Sequence, residues 1–297
     1  MYMGGKSNMN LKKRGWITAV LILSTLMTTS IMGINHTKDS TINTSFTSIF
    51  DDRNLKSKYE NTEKEFNIDE EINIESLMAE DLGIKKDNAK ILIIHSHPNE
   101  KYVVDLEGSQ GSVIDVGDKL EEILEGKYSV SVMHLKNENI TEKSNITEAY
   151  KVVAERVQEV LKENPSIEVI IDIHRDGGVK PTATMIKNKS TAKININNGL
   201  CIDVEVGTIG SLKEYTNPYI QQNLSLSTQI KVRGDEMTPN LIEPITLLSN
   251  RYSLYMLPKS LMIDVGNNMD TLETAENAIE SFSEILADVL KLDKLDE

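Results

Sequence analysis

Thiols, histidines, aromatics and basic clusters are all scarce in this 297-residue sequence, and the lack of thiols and of basic clusters each removes a class of protein. The single cysteine, Cys201, excludes an internal disulfide framework and any zinc module built on thiolates. Lysine and arginine number 32 against 46 acidic residues, for a net charge of −14, and the folded part has no Lys/Arg cluster. Recognition of a phosphate backbone needs such clusters, so no nucleic-acid partner is expected. No G-x-S-x-G elbow occurs, which leaves a serine hydrolase without support. The stretch "GSQGS", Gly108 to Ser112, lacks the lysine of a P-loop and reads as a flexible lip rather than a phosphate cradle.

Only one long run lacks charge. Lys12, Lys13 and Arg14 precede "GWITAVLILSTLMTTSIMG", Gly15 to Gly33. A run of about 18 or more such residues spans a bilayer as a helix, and the basic cluster keeps the N-terminus cytoplasmic. A secretory signal has a similar pattern, with the same consequence that the bulk of the chain is exported. The expected organisation is a cytoplasmic N-terminus over 1–14, a transmembrane anchor or signal over 15–33, a polar linker over 34–88 with a short helix around Ile74 to Leu82, and a catalytic domain over 89–297. The chain is expected in the cell membrane, single-pass, with that domain outside the cytoplasm.

After Asn88 the pattern turns to alternating elements. "KILII" is a buried-strand run, and Val116, Leu120, Ile123 and Leu124 share one helical face. "YSVSVMH" alternates as a strand, "TEAYKVVAERVQEVLKENP" is amphipathic, and "EVIIDI" is again a strand. Strand, helix, strand, helix, strand predicts an α/β fold with a mostly parallel central sheet flanked by helices. "ATMI" and "AKINI" read as a hairpin insertion, and "SLMIDV" as a further buried strand. Asp270 is placed as the cap of a last helix, with Ala275, Ile279, Phe282, Leu286 and Val289 facing inward.

Ligands of open parallel sheets bind beyond the carboxyl ends of the strands. Three strands end there in unusual chemistry: "ILIIHSHPNE" in His95, His97 and Glu100, "EVIIDIHRDGG" in His174, Arg175 and Asp176, and "LMIDVGNN" in Asp264. With only five histidines in the chain, three at such strand ends form a pattern. His97 and Glu100 have H-x-x-E spacing and, with a distant histidine, supply the His₂Glu set of a catalytic Zn²⁺ site. His95 and His97 point the same way, so either is a candidate; the H-x-x-E spacing favours His97. Asp172 shares a strand face with His174 and suits a hydrogen bond that orients an imidazole or, equally, one to nearby backbone or an arginine. Asp264 in an apolar strand is costly to bury without a partner, which favours a functional role. His134 and His36 have no companions in the sequence and are assigned no chemistry.

Four pieces, "IIHSHPNEKY", "VGDKLEEILE", "IIDIHRDGG" and "SLMIDVGNN", in this order resemble the stage II sporulation protein P family over about Lys90 to Leu292. The resemblance implies a sporulation cell-wall hydrolase anchored in the mother-cell membrane and facing the intermembrane space. Its expected activity is that of an N-acetylmuramoyl-L-alanine amidase and endopeptidase acting on peptidoglycan during engulfment. The partner it implies is a stage II sporulation protein D-like lytic transglycosylase. It implies His97, Glu100 and His174 as zinc ligands, Asp264 as general base, and Arg175 as a contact to substrate or to a ligand residue. The order of the motifs is also analogous to that of zinc carboxypeptidases. Two departures stand out: Asp264 where the family carries glutamate, and Asn267 where it carries a second glycine. The shorter side chain sets the carboxylate about 1 Å back, enough for roughly a hundredfold in rate. Two rival readings follow, a catalytically silent scaffold that binds the wall or the partner, and a peptidase acting on free peptides.

Overall fold

The computed structural model describes residues 45–59, 67–84, 88, 90–136, 146–203 and 205–295, all within the unit Thr44–Glu297. The expected membrane segment, 15–33, lies outside the described residues. Among the described residues, no helix is long and apolar enough to cross a membrane.

The chain order is α1 (Phe46–Ile49), β1 (Phe50–Asp51), α2 (Arg53–Tyr59), α3 (Ile68–Glu71), α4 (Ile74–Ala79), β2 (Lys90–Ile94), α5 (Val113–Lys127), β3 (Ser131–Leu135), α6 (Ile146–Glu163) and β4 (Ile167–Asp176). It continues with β5 (Thr184–Ile186), β6 (Lys189–Thr191), β7 (Ile194–Gly199), α7 (Ile220–Met237), β8 (Ile245–Leu248), β9 (Lys259–Asn267) and α8 (Leu272–Val289). Seven strands form one sheet in the order β1-β8-β7-β9-β4-β2-β3. Every neighbouring pair is parallel except β7 with β9.

Alternation along the strands divides the core. Ile91, Ile93, Val169, Ile171, Ile173, Leu261 and Ile263 face the larger cluster, which contains the apolar stripes of α5, α7 and α8. Leu92, Ile94 and Ile170 face the other way and meet Val153, Val157 and Val160 of α6. The even-numbered residues of β4, Ile170, Asp172 and His174, thus share the α6 face. That parity decides where the polar ends of the strands gather.

Three expectations are corrected. Residues 45–59 and 67–84, expected in a polar linker, pack into the domain. Ile49, Phe50, Leu55, Tyr59, Ile68, Ile72, Leu77 and Leu82 are buried, and β1 pairs with β8 at the sheet edge. Apart from the short helix expected around Ile74 to Leu82, which forms as α4, their apolar residues are spaced among so many Asn, Asp and Lys that no helical or strand period stands out over such short elements. The hairpin is β5 with β6, whereas "AKINI" enters the main sheet as β7. Finally, α8 is capped by Thr271, whose hydroxyl accepts from the Thr274 N–H. Asp270 is buried and accepts instead from the N–H groups of Thr182, Ala183 and Asn267, pinning the loop after β4 to the end of β9.

Candidate metal centre

β2 and β4 are adjacent and parallel, with Ile94 opposite Asp172, so the residues after β2 emerge beside the tip of β4. His97 Nδ1 lies 3.3 Å from His174 Nδ1, and His174 Nδ1 lies 3.2 Å from Glu100 Oε2. These three side chains present one ligand atom each within a single cluster. The main-chain N–H of Arg175 donates to the same Glu100 oxygen at 3.1 Å. His174 Nε2 faces Asp172 Oδ1 at 3.1 Å, within reach but off the line of a good hydrogen bond. Asp172 is fully buried and accepts from Ser96 N–H at 2.9 Å and Ser96 Oγ at 2.6 Å.

Asp264 is the cross-strand neighbour of His174 on β9. Its Oδ2 accepts from Asn197 Nδ2 at 2.6 Å. The polar row continues over β7 and β8, with Asn195 Nδ2 3.4 Å from Asn197 Oδ1 and Thr246 Oγ1 3.0 Å from Asn195 Oδ1. Directly after Asp264 the register slips, so that Asp176 pairs with Asn267, and Gly266 takes a φ of 65° there. A side chain at Gly266 would meet Asp270 as well as backbone strain.

Arg175 is turned to the loop rather than to the cluster. Its Nε donates to the Lys101 carbonyl and its Nη1 to the Asp176 carbonyl. His95 stands apart from the cluster as well: its Nδ1 is 3.0 Å from the Ile173 carbonyl and its Nε2 is 2.7 Å from His134 Nε2. Of the two candidate histidines after β2, it is His97 that lies with Glu100 and His174.

Several contributors carry no signal in the sequence. Tyr150 of α6 packs edge-on against His97, ring centroids 5.1 Å apart, and Tyr252 packs on Tyr150 at 5.6 Å. Tyr102 is buried and donates to the Val265 carbonyl at 2.9 Å, tying the H-x-x-E loop to the residue after Asp264. Ser96 and Asn197 hold the two carboxylates. None of these types stands out in a polar, Asn-rich chain without the fold.

The electrostatics show a site that calls for positive charge. Burial works to lower the His174 pKa, but Asp172 and then Glu100 carry it well above the ordinary imidazole value. Burial would raise Asp172, and the His174 charge with the hydrogen bonds from Ser96 takes it below the usual carboxylate range. His97 is lowered by burial, and its Nε2 is a buried nitrogen without a hydrogen-bond partner. Burial pushes Asp264 up to about 6. Two Nδ1 atoms and a carboxylate oxygen at 3.2–3.3 Å match the edge of a tetrahedron with metal bonds of about 2.0–2.1 Å. The donor set and its spacing fit Zn²⁺.

The sequence profile of the family described as Stage II sporulation protein P (SpoIIP) matches residues 25–287. Stage II sporulation protein P of Bacillus subtilis (strain 168) is 24% identical over 228 residues, covering 69% of this chain and 53% of that protein. The chain therefore spans about half the length of the curated relative it matches. Among solved structures, the N-acetylmuramoyl-L-alanine amidase AmiC2 of Nostoc punctiforme aligns with a TM-score of 0.39 and 12% identity, over 70% of this chain and 99% of that one. The CwlD amidase of Clostridioides difficile, in complex with the GerS lipoprotein, gives a TM-score of 0.41 and 14% identity, over 68% and 96%. With the profile matching from residue 25 to residue 287 of 297, the chain belongs to the Stage II sporulation protein P family.

Proposed function

We propose that this chain is a zinc-dependent peptidoglycan amidase, cleaving the bond between N-acetylmuramic acid and L-alanine and remodelling the wall during engulfment in sporulation. The observation that carries this reading is the convergence of His97 Nδ1, His174 Nδ1 and Glu100 Oε2 beside Asp264 at the carboxyl end of parallel strands. His97, Glu100 and His174 would hold the metal. A zinc ion in such a set supplies Lewis acidity, polarising an amide carbonyl and acidifying water.

The chain's own residues supply the rest. Asp172 orients His174 from behind, so that its Nδ1 is presented to the cluster. The Arg175 main-chain N–H and the loop it braces fix Glu100; Arg175 is thus a positioning residue through Lys101 rather than a direct substrate contact. Asp264 takes the proton from water and passes it to the leaving amine. Asn197 holds its Oδ2 and so selects which oxygen does this, and a pKa near the working pH suits the exchange. The row Asn197, Asn195 and Thr246 offers amide and hydroxyl groups next to the base, suited to the backbone of a stem peptide.

The catalytic domain would lie outside the cytoplasm, held by the apolar segment 15–33, and would work beside a lytic transglycosylase resembling stage II sporulation protein D. A silent wall-binding scaffold is the second reading, favoured by the short Asp264 side chain. Digesting purified peptidoglycan with the full chain and zinc, with the fragments identified by mass spectrometry, separates the two. Free stem peptides support the amidase. Their absence from a folded, zinc-loaded protein, followed by their appearance on Asp264→Glu, supports the scaffold.

A further inference from the structure

On the sheet face opposite the candidate centre, a second set of nitrogen and carboxylate groups comes together: Asp118 and Glu121, one turn apart on α5, and His134 on β3. His134 Nδ1 is 2.9 Å from Asp118 Oδ1 and 3.6 Å from Glu121 Oε2, and the imidazole is 2% exposed. The other ring nitrogen, Nε2, meets His95 Nε2 at 2.7 Å, and His95 Nδ1 meets the Ile173 carbonyl at 3.0 Å.

The protons along this row do not add up for two neutral rings. Both ends of the row, a carbonyl and a carboxylate, only accept hydrogen bonds. Its three contacts need three ring protons, and two neutral imidazoles carry two. Wherever these sit, one contact sets lone pair against lone pair unless one more positive charge is present. Protons on His95 Nδ1 and His134 Nε2 satisfy the contact to the Ile173 carbonyl and the contact between the rings, and leave the His134 Nδ1 lone pair aimed at two carboxylates. A metal-ligating histidine is arranged in this way, with its second nitrogen donating to an acceptor. The 2.9 and 3.6 Å separations bracket the tetrahedral edge of about 3.3 Å expected for nitrogen and oxygen ligands of zinc.

The packing around the row agrees. Gly117 lies against the row: a Cβ there would stand 2.6 Å from His134 and 2.9 Å from His95 Nε2. A glycine inside a helix is costly, and here it makes room for the two rings. Lys136 Nζ, 2.8 Å from Asp118 Oδ1 and 2.9 Å from Asp118 Oδ2, is 41% exposed and would have to yield that carboxylate to the cation.

We propose that Asp118, Glu121 and His134 form a second metal site, taking a divalent cation of the zinc type and bracing the tips of β2 and β4 through His95. Metal-stripped full chain, titrated with zinc alone and desalted, tests this by metal content. The expected result is two equivalents for the natural chain, one for Glu121→Gln and for Asp118→Asn, one for His174→Ala, and none for Glu121→Gln combined with His174→Ala. Glu121→Gln should retain peptidoglycan hydrolysis. Both equivalents persisting in Glu121→Gln and Asp118→Asn, or a single equivalent that vanishes with His174→Ala, overturns the proposal. So does a ¹⁵N spectrum of the zinc-saturated chain with protons on both His134 nitrogens, which would make the missing charge a proton. One equivalent that survives His174→Ala but is lost in Glu121→Gln upholds this site and removes the zinc from the other.

Discussion

Asp172 stands two residues before His174 on β4, and its Oδ1 lies 3.1 Å from His174 Nε2 behind the cluster formed by Nδ1. With Ser96 donating to it twice, this carboxylate is held in place and sets which imidazole nitrogen faces Glu100 and His97. Asp172→Asn should therefore weaken zinc binding by about 10–100-fold, the usual cost of losing such a supporting partner. Chelator competition measures it. An unchanged affinity would mean that Asp172 serves the core alone.

Asp264 links catalysis to pH in two opposite ways. Its folded pKa of about 6 is raised by burial, while an unfolded aspartate titrates near about 3.9. The metal-free folded chain binds this proton more tightly than the unfolded chain, so the group's contribution falls as pH rises from about 4 to about 6. Asp264→Asn should flatten that part of the stability profile in denaturant melts. Hydrolysis should rise with pH through the same group, because the base must be ionised. The variant should lose the rate by about 10²–10⁴-fold at constant zinc content.

A fragment beginning at Asn88 should not fold, whereas one beginning at Thr44 should. The intervening residues bury eight apolar side chains, from Ile49 to Leu82. At about 1.5–3 kcal/mol for each buried side chain, their loss comes to roughly 12–24 kcal/mol, comparable to or above the roughly 5–15 kcal/mol of a typical domain. Circular dichroism melts of the two fragments decide it; a cooperative transition in the shorter one would show these elements to be accessory.

Gly117→Ala should destabilise, against the usual sign. In a helix interior this change commonly gains about 0.5–1 kcal/mol. Here the added Cβ would sit 2.6 Å from the His134 ring, and neither that ring nor His95 can yield without breaking the row to Ile173. A raised thermal midpoint would contradict the close packing described here.

How much of this was legible beforehand follows from physical range. β2 and β4 were readable because buried parallel strands need unbroken runs of β-branched residues, and "KILII" and "EVIIDI" are such runs. His97, Glu100, His174 and Asp264 were readable as strand-end polar groups in a histidine-poor chain. Among the N-terminal elements the helix at Ile74–Ala79 was readable and the others were not, because helices of four to seven residues show barely a turn or two of periodicity. His134 was not assigned a role because its companions Asp118 and Glu121 lie on a helix 13 residues or more away, and only the packing of that helix on β3 makes them neighbours. Tyr150 and Asn197 likewise gain meaning only through cross-element contact.

The most direct test of the central claim is zinc add-back to the metal-stripped full chain, followed by release of stem peptides from purified peptidoglycan. The account predicts no release without metal, recovery on zinc addition, and none at any zinc level in His174→Ala. Full release by stripped protein, or zinc-restored release by His174→Ala, would contradict it.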